Sequence, residues 1–166
     1  MGILQPIAKV ALGIRFGNVT LYDDTAVKNN FRFPLGFMVV IDAEYNTRIV
    51  AQMLLADTIT DTFIWVLNKY IASRGRLPPR VFVTDANAAM TGAARKLMPN
   101  TLHRRCQWHL HKNLRKNLAS VLWGDMQDFM DVFRVVEKQL THEKFHARFD
   151  YMMAKHPKAE KYIMAA

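Results

Sequence analysis

Two acidic residues follow stretches that are predicted to be strands, and this placement suits metal chemistry. Asp23, with Asp24 beside it, follows a β-branched and aromatic stretch, and Asp85 follows a second apolar stretch. Where neighbouring strand ends bring two carboxylates together, the charges repel unless they share a divalent cation. Oxygen ligands suit Mg²⁺ or Mn²⁺, and two such ions can stabilise an in-line phosphoryl displacement. The alternative is that each Asp forms a turn, or that Asp85 caps a following helix.

The chain then carries a long stretch with basic but no acidic residues, from Ala86 to Gly124. Its basic side chains are Arg95, Lys96, Arg104, Arg105, Lys112, Arg115 and Lys116. The whole chain has 23 Lys and Arg against 14 Asp and Glu, a formal net charge of +9. A solvated helix face usually mixes both signs, so this stretch favours contact with a phosphodiester backbone. We therefore predict nucleic acid, rather than an anionic membrane surface, as the polyanionic partner.

The single cysteine, Cys106, forms a Cys-x-x-His sequence with His109. A closed zinc site needs four ligands, and the sequence offers no second cysteine. We therefore favour a buried thiol beside a satisfied histidine, that is, one whose ring nitrogens are hydrogen-bonded. A half-formed zinc site and a nucleophilic Cys–His pair are the less favoured alternatives. Trp108, between the two, is expected in the core. One cysteine also excludes an internal disulfide, which fits a reducing compartment.

The elements that must position these residues follow from changes in the hydrophobic period. Five strands are predicted, at residues 18–22, 35–41, 47–55, 80–85 and 101–107. Helices are predicted over about 59–74, with Thr58 as cap, over 87–97, and from Trp108 to the end. Three strands before the first helix disfavour a doubly wound fold. They favour a mixed sheet in which an antiparallel meander joins parallel strands.

Three blocks, in this order, resemble the Mutator-like element (MULE) transposase domain, which is shared with FAR1-related proteins. Residues 22–35 resemble a block that runs from Asp-Thr-Thr-Tyr to Pro-Leu, and residues 83–90 resemble Thr-Asp-x-x-x-Ala-Met. Residues 103–113 resemble His-x-x-Cys-x-Trp-His-x-x-x-Asn. The resemblance covers nearly all the chain from about Asn18. It implies an α/β, ribonuclease-H-like fold whose mixed five-stranded sheet (βββαβαβ) is flanked by helices.

The resemblance also implies a DDE site, in which three acids use Mg²⁺ or Mn²⁺ to cleave double-stranded DNA. Such a site acts at transposon ends and joins the freed 3′-hydroxyl to target DNA. Matched by motif, Asp23 is the first catalytic acid and metal ligand and Asp85 is the second. Alignment on Asp24 instead would make Asp24 the first ligand. The basic residues from Arg95 to Lys116 would contact DNA.

The Cys-x-x-His element, Cys106 and His109, matches a family element with a structural or DNA-positioning role. Two departures weaken the first block: Ala26 stands where an aromatic residue is expected, and Lys28 where Thr is usual. The family's third acid is a Glu beyond a helical insertion. The remaining candidates are interpreted as surface residues: Glu137, Glu143 and Glu160.

These features predict residues 1–122 as an incomplete DDE catalytic core and 123–166 as the start of an all-α insertion. We expect this chain alone not to cleave DNA, because the third acid is missing. The alternative function is a FAR1-type DNA-binding transcriptional regulator without catalysis, and a third is a transposon relic. A DNA partner implies a nuclear location, while a homo-oligomer is left open. No apolar run reaches the roughly 20 residues that a membrane span needs.

Overall fold

The computed structural model of the chain describes residues 2–4, 7–25 and 33–165. The strands are β1 (Gly2–Leu4), β2 (Val19–Thr25), β3 (Leu35–Ile41), β4 (Thr47–Leu54), β5 (Val81–Thr84) and β6 (Leu102–Arg105). The α-helices are α1 (Ile7–Phe16), α2 (Thr60–Ser73), α3 (Ala88–Leu97), α4 (Gln107–Leu122), α5 (Met126–Glu137), α6 (His142–Lys155) and α7 (Glu160–Ala165). All five predicted strands are present, and the α/β ribonuclease-H-like order βββαβαβ is confirmed from β2 to β6.

The strands form one mixed sheet in the order β1-β4-β3-β2-β5-β6. β2, β3 and β4 make the predicted antiparallel meander, while β5 lies parallel to β2 and β6 lies parallel to β5. Parallel neighbours need a crossover connection, and helices α2 and α3 precede β5 and β6 respectively. β2 therefore lies inside the sheet, between β3 and β5, and its far end from Tyr22 to Thr25 is paired with β3 alone.

The sheet also contains one strand that the sequence did not predict. β1 pairs antiparallel with β4, and Ile3 lies opposite Met53. The helix α1 follows it and is equally absent from the sequence prediction. A strand of three residues is too short to show a period of two, so hydrophobic alternation could not reveal it. β1 therefore extends the sheet beyond β4 and does not alter the pairing of β2 with β5.

The turn between β3 and β4 confirms the predicted polar hairpin connection. Asp42 is buried, and its Oδ1 accepts hydrogen bonds from the backbone N–H of Glu44 (3.1 Å) and Asn46 (2.8 Å). Its Oδ2 accepts one from Arg48 Nε at 2.6 Å. Tyr45 adopts a left-handed φ of 62° in this turn. One carboxylate thus satisfies most of the turn and fixes the β3–β4 register.

The chain divides into two compact units, Met1–His109 and Leu110–Ala166. In the first unit, alternate strand residues pack with α2 and α3 in one core, for example Val40 and Phe82 with Phe63 and Met90, each 0% exposed. Thr58 does not cap α2 as predicted. The cap position is Ile59, whose apolar side chain makes no cap hydrogen bond. Just before the helix, Asp57 Oδ1 accepts hydrogen bonds from the backbone N–H of Ile59 and the hydroxyl of Thr62.

The second unit is entirely helical in the residues that the structure describes. Its core joins Leu114 and Leu118 of α4 with Phe129, Met130 and Met152 from α5 and α6. The boundary predicted from the sequence, between residues 122 and 123, coincides with the end of α4. The compact units instead divide near the start of that helix, and the functional division stays a prediction. Within the described part of the chain, no helix has the length and apolarity to cross a bilayer.

Candidate metal site and nucleic-acid surface

The register of β2 and β5 places Asp23 and Asp85 at the same end of the sheet. Leu21 lies opposite Val83 in this parallel pair, and each Asp stands two residues beyond its member of the pair. The β2–β5 pairing ends at Leu21 and Val83, and β5 itself ends at Thr84, so Asp85 lies just beyond its strand. The register therefore brings both acids to one end of the sheet, and their sharing of a cation stays a prediction.

The alternation of β2 separates the two candidates for the first acid. Thr20 and Tyr22 are buried on the core face, and Asp24 shares that face because it lies two residues after Tyr22. The Tyr22 hydroxyl donates a hydrogen bond to Asp24 Oδ2 at 3.1 Å. Asp23 points to the opposite face with Leu21. Its side chain is 61% exposed, whereas Asp24 is half-buried.

Asp23 lines a cleft of ≈ 260 Å³ on that second face. The other lining residues are Leu21, Tyr22, Val39, Val83, Cys106, Trp108 and His109. The cleft floor is made of apolar strand residues, and its wall is the start of α4. Asp23 is held in a defined direction, because its backbone is paired with Phe37 of β3.

Asp85 is oriented by the turn that joins β5 to α3. Its Oδ1 accepts a hydrogen bond from the backbone N–H of Asn87 at 3.1 Å. The helix cap is Asn87, whose Oδ1 accepts from the N–H groups of Ala89 (2.9 Å) and Met90 (3.1 Å). Asp85 is therefore a turn former and not the cap. One carboxylate oxygen is used in the turn, while Oδ2 has no hydrogen-bond partner among the described residues.

The carboxylates at this end of the sheet act on one another. Burial raises the pKa of Asp24, and the negative charges of Asp85 and Asp23 raise it further. Burial, followed by the charge of Asp24, also raises the pKa of the Tyr22 phenol well above its ordinary value. Groups that repel in this way gain stability when a cation is bound among them. The three acids thus form a negatively charged end of the β2–β5 pair.

The donor set fits an open site for Mg²⁺ or Mn²⁺ better than a closed zinc site. Over the described ranges, no three His, Cys, Asp or Glu side chains are grouped closely enough to enclose a metal ion. Asp23 and Asp85 offer carboxylate oxygens, which hard divalent cations prefer, and Mg²⁺ usually keeps several waters beside one or two carboxylates. Two carboxylates at an exposed strand end match that description. Their role as ligands stays a prediction.

The Cys-x-x-His element lies in the same cleft as Asp23, a contact that the sequence did not reveal. His109 Nε2 is 3.6 Å from Asp23 Oδ1, an ion-pair distance when the imidazole is protonated. Its Nδ1 is buried and has no hydrogen-bond partner in the described part of the chain. The prediction that this histidine is satisfied by hydrogen bonds is therefore wrong. Cys106 is half-buried rather than buried. Trp108, expected in the core, is 63% exposed and meets the His109 ring edge to face.

The predicted DNA contacts are divided between the two units. Arg95 and Lys96 occupy the last turn of α3, and Arg104 and Arg105 end β6. Lys112, Arg115 and Lys116 lie on α4 in the second unit. All seven side chains are exposed. The β6 strand was predicted in spite of its two arginines, and it forms because an edge strand leaves charged side chains in solvent.

A basic pocket lies between the end of α3 and β6. It has a volume of ≈ 380 Å³, and its lining residues include Arg95, Arg104, Arg105, His103, Thr91 and Thr101. His103 Nε2 is 2.8 Å from the Thr84 hydroxyl. Burial, then the charges of Arg95 and Arg105, lower the pKa of His103. Residue spacing carries no signal for this pocket, since its walls come from separate elements.

The remaining acidic candidates lie in the second unit. Glu137 is not the surface residue that was expected: its side chain is 14% exposed, and its Oε2 is 2.7 Å from His111 Nε2. The apolar spacing on α5 predicted Phe133 as a core position, and Phe133 packs edge to face on that same histidine. Glu143 and Glu160 are exposed as expected. Ala26 and Lys28 of the first motif block lie outside the described residues.

Comparison with known families places these features in a wider setting. The family model for the MULE transposase domain matches residues 19–113, more than half of the chain. That range includes Asp23, Asp85 and the Cys-x-x-His element. The matched segment therefore contains both predicted metal ligands.

Curated relatives from Arabidopsis thaliana align with most of the chain. It is 23% identical over 141 residues to protein FAR-RED IMPAIRED RESPONSE 1, and this alignment covers 85% of the chain and 17% of that protein. It is 27% identical over 136 residues to protein FAR1-RELATED SEQUENCE 4, with coverage of 81% and 18% respectively. The chain thus spans less than a fifth of the length of these relatives.

Among solved structures, one match is a chain in the cryo-EM structure of the simian T-cell lymphotropic virus intasome in complex with PP2A regulatory subunit B56 gamma. The two chains are 14% identical, with a TM-score of 0.39. The match covers 78% of this chain and 46% of that one.

Proposed function

Because the chain belongs to the MULE transposase domain family, we propose that it supplies the first two acids of a DDE site. In this proposal Asp23 and Asp85 hold Mg²⁺ or Mn²⁺ for cleavage and strand transfer of double-stranded DNA at transposon ends. The observation that carries the proposal is the β2–β5 register, which brings two acids that are distant in sequence to one strand end.

The proposed chemistry divides between the cation and the side chains. A divalent cation, when bound, supplies Lewis acidity at a phosphodiester oxygen. Asp23 offers its carboxylate in the cleft, and Asp85 offers the oxygen that the Asn87 turn leaves open. His109, beside Asp23, restricts the orientation of that carboxylate. The exposed arginines and lysines bind phosphates and hold the DNA in place.

Turnover needs the third acid that the family resemblance implies. Among the described residues, no Glu is grouped with Asp23 and Asp85 into a three-residue metal site. We therefore expect this chain on its own to bind a divalent ion and DNA without cleaving the DNA. A nicking assay on supercoiled DNA with Mg²⁺ or Mn²⁺ tests this. Nicking that disappears in Asp85→Ala would contradict the requirement for a third acid.

The assignment of ligands is tested by Mn²⁺ binding, measured by calorimetry on the chain and on three single variants. Asp23→Asn and Asp85→Asn should each weaken Mn²⁺ binding by at least about tenfold, a loss of roughly 1.4 kcal/mol. Asp24→Asn is the matched control, because it removes the same charge one residue away on the other face of β2. Loss of binding in Asp24→Asn with retention in Asp23→Asn would move the first ligand to Asp24.

A second candidate function is a DNA-binding transcriptional regulator that uses the fold without catalysis. It is favoured by the relatives, whose names belong to the FAR-RED IMPAIRED RESPONSE group. DNA binding by the chain together with no measurable Mn²⁺ binding would support the regulator and contradict the metal site. We propose a nuclear location for either function, because both act on DNA, and a fluorescent fusion expressed in plant cells would test it.

A further inference from the structure

The basic pocket, defined by Thr91, Arg95, Thr101, His103, Arg104 and Arg105, lies apart from the carboxylate cleft. No residue that lines the cleft also lines this pocket. The pocket is lined by α3, β6 and the turn between them, whereas the cleft is lined by β2, β3, β5 and the start of α4. The two sites therefore have separate walls within the same compact unit.

Ion pairs within the fold do not explain the charges of Arg95 and Arg104. Among the residues that the structure describes, neither of these side chains contacts a carboxylate, and the sequence has no Asp or Glu from Ala86 to Gly124. A basic residue in the last turn of a helix complements the helix dipole, which accounts for Arg95. That effect does not account for Arg104 on β6. Gathering guanidinium groups around one cavity is unfavourable until an anion occupies it.

The histidine in the pocket responds to the same positive field. The Thr84 hydroxyl has one proton, which it donates to the carbonyl of Asp85 at 2.8 Å, so it accepts the hydrogen bond from His103 Nε2–H. His103 is therefore held in one tautomer. Burial and the two neighbouring arginines, Arg95 and Arg105, oppose its protonation by lowering its pKa. Thr84 also links the pocket to the strand end that carries Asp85.

We propose that this pocket binds one backbone phosphate of duplex DNA, with Arg95 and Arg104 as its charged ligands. The proposal rests on the proposed function, since it supplies a defined contact for the same DNA. A guanidinium can donate two parallel hydrogen bonds to phosphate oxygens, which lysine cannot. The volume of ≈ 380 Å³ lies within the usual range of ligand pockets, roughly 300–1,000 Å³. It leaves room for the sugar that accompanies a phosphodiester.

The test measures affinity for a fluorescein-labelled duplex by anisotropy, over a range of salt concentrations and in EDTA. EDTA removes the divalent ion, so the outcome does not depend on the metal site. The double variant Arg95→Gln/Arg104→Gln should bind at least about tenfold more weakly. The slope of log affinity against log salt should also fall by about 0.9, because the variant releases one phosphate.

The matched control removes two positive charges elsewhere in the same unit. Arg15→Gln/Lys69→Gln changes the net charge equally, at exposed positions on α1 and α2. This control should lower the affinity less and leave the salt slope unchanged. All four positions are exposed, so both variants should fold, and thermal melts followed by circular dichroism check this. Equal losses of affinity in the pocket variant and the control would overturn the proposal.

Two further arms separate this proposal from the metal site and from free phosphate. Asp85→Asn should keep its DNA affinity in EDTA although it loses Mn²⁺ binding. Unchanged DNA affinity in the double arginine variant, with normal Mn²⁺ binding, would overturn the pocket proposal alone. Unchanged Mn²⁺ binding in Asp85→Asn would overturn the metal-site proposal alone.

Inorganic phosphate, compared with chloride at equal ionic strength, should compete with DNA for the unmodified chain and not for the double arginine variant. Phosphate binding that leaves DNA affinity untouched would also overturn the proposal.

Discussion

Strand β5 separates two regions of opposite charge. On its β2 side, the acids Asp23 and Asp85 lie at the strand ends, with Asp24 behind them. On its β6 side, Arg104 lies opposite Val83 and the next residue of the strand lies opposite Thr84. In the described residues, no ion pair joins Arg104 to these acids. One strand therefore has acidic side chains towards one neighbour and basic side chains towards the other.

The two regions differ in how firmly their side chains are fixed. The acids follow paired backbone, and Asp85 is tied into a turn by the N–H of Asn87. The arginines stand at an edge strand and a helix end and are exposed. Substitutions should therefore be severe and specific in the acidic region. They should be graded and dependent on salt in the basic region.

The largest expected effect comes from a metal-binding assay that compares a substitution in the acidic region with one in the basic region. Asp85→Asn should lower Mn²⁺ affinity by at least about tenfold, because it removes a charged oxygen ligand. Arg104→Gln should change it by less than about twofold, since no ligand is touched. Calorimetric titration of both variants measures this. Equal effects would show that general electrostatics, rather than ligation, determines Mn²⁺ affinity.

An intermediate effect is expected at the link between the regions. The Thr84 side chain is fully buried, and its hydroxyl bonds both His103 Nε2 and the carbonyl of Asp85. Thr84→Val keeps the volume but leaves those groups unsatisfied, which should cost about 1–3 kcal/mol of unfolding free energy. Urea denaturation measures the loss. Thr101→Val is the control, because its hydroxyl bonds only the carbonyl of Pro79. An unchanged unfolding free energy in Thr84→Val would show that Thr84 does not link the two regions.

A smaller effect should appear in the pH dependence of stability. The pKa of His103 is lowered in the folded state, so the unfolded state binds its proton first as the pH falls. The contribution to stability is present above the ordinary histidine pKa of about 6.5 and is lost as the pH falls below it. His103→Gln should flatten the stability profile between about pH 7 and 5, by less than about 1 kcal/mol. Thermal melts across that range would show it, and an unchanged profile would mean that burial and the arginines do not lower the pKa of His103.

The smallest effect separates two neighbouring basic residues on α3. Arg95 lines the basic pocket, whereas Lys96, the next residue, does not. Lys96→Gln should weaken DNA binding by no more than about twofold, because it removes only a screened surface charge. Arg95→Gln should weaken it several-fold and reduce the salt slope by about 0.9. Equal slopes in the two variants, measured by anisotropy, would mean that the pocket has no specific role.

Much of the acidic region could be predicted because strand ends are local features. The apolar stretches before Asp23 and Asp85 mark two strands, and the motif blocks set their order. Parallel neighbours then bring the ends together. Side-chain alternation in β2 also places Asp23 and Asp24 on opposite faces, once burial shows which face meets the core. The sequence left the choice between them open because both acids follow the same strand.

The contacts that were missed depend on packing between distant elements. His109 reaches Asp23 because α4 begins beside the strand end, and no spacing in the chain encodes that approach. Trp108 was expected in the core as a large aromatic residue, yet it stands on the rim of the cleft. The basic pocket likewise needs α3 and β6 in their folded positions. Sequence patterns predicted the elements, and the cavities between them required the structure.

The shared metal site is tested most directly by a crystal structure of the chain grown with Mn²⁺, with the ion located by its anomalous signal. We expect one peak within about 2.0–2.6 Å of carboxylate oxygens from both Asp23 and Asp85. A peak bound by Asp24 and not by Asp23, or Asp23 and Asp85 side chains too far apart to share an ion, would contradict this assignment.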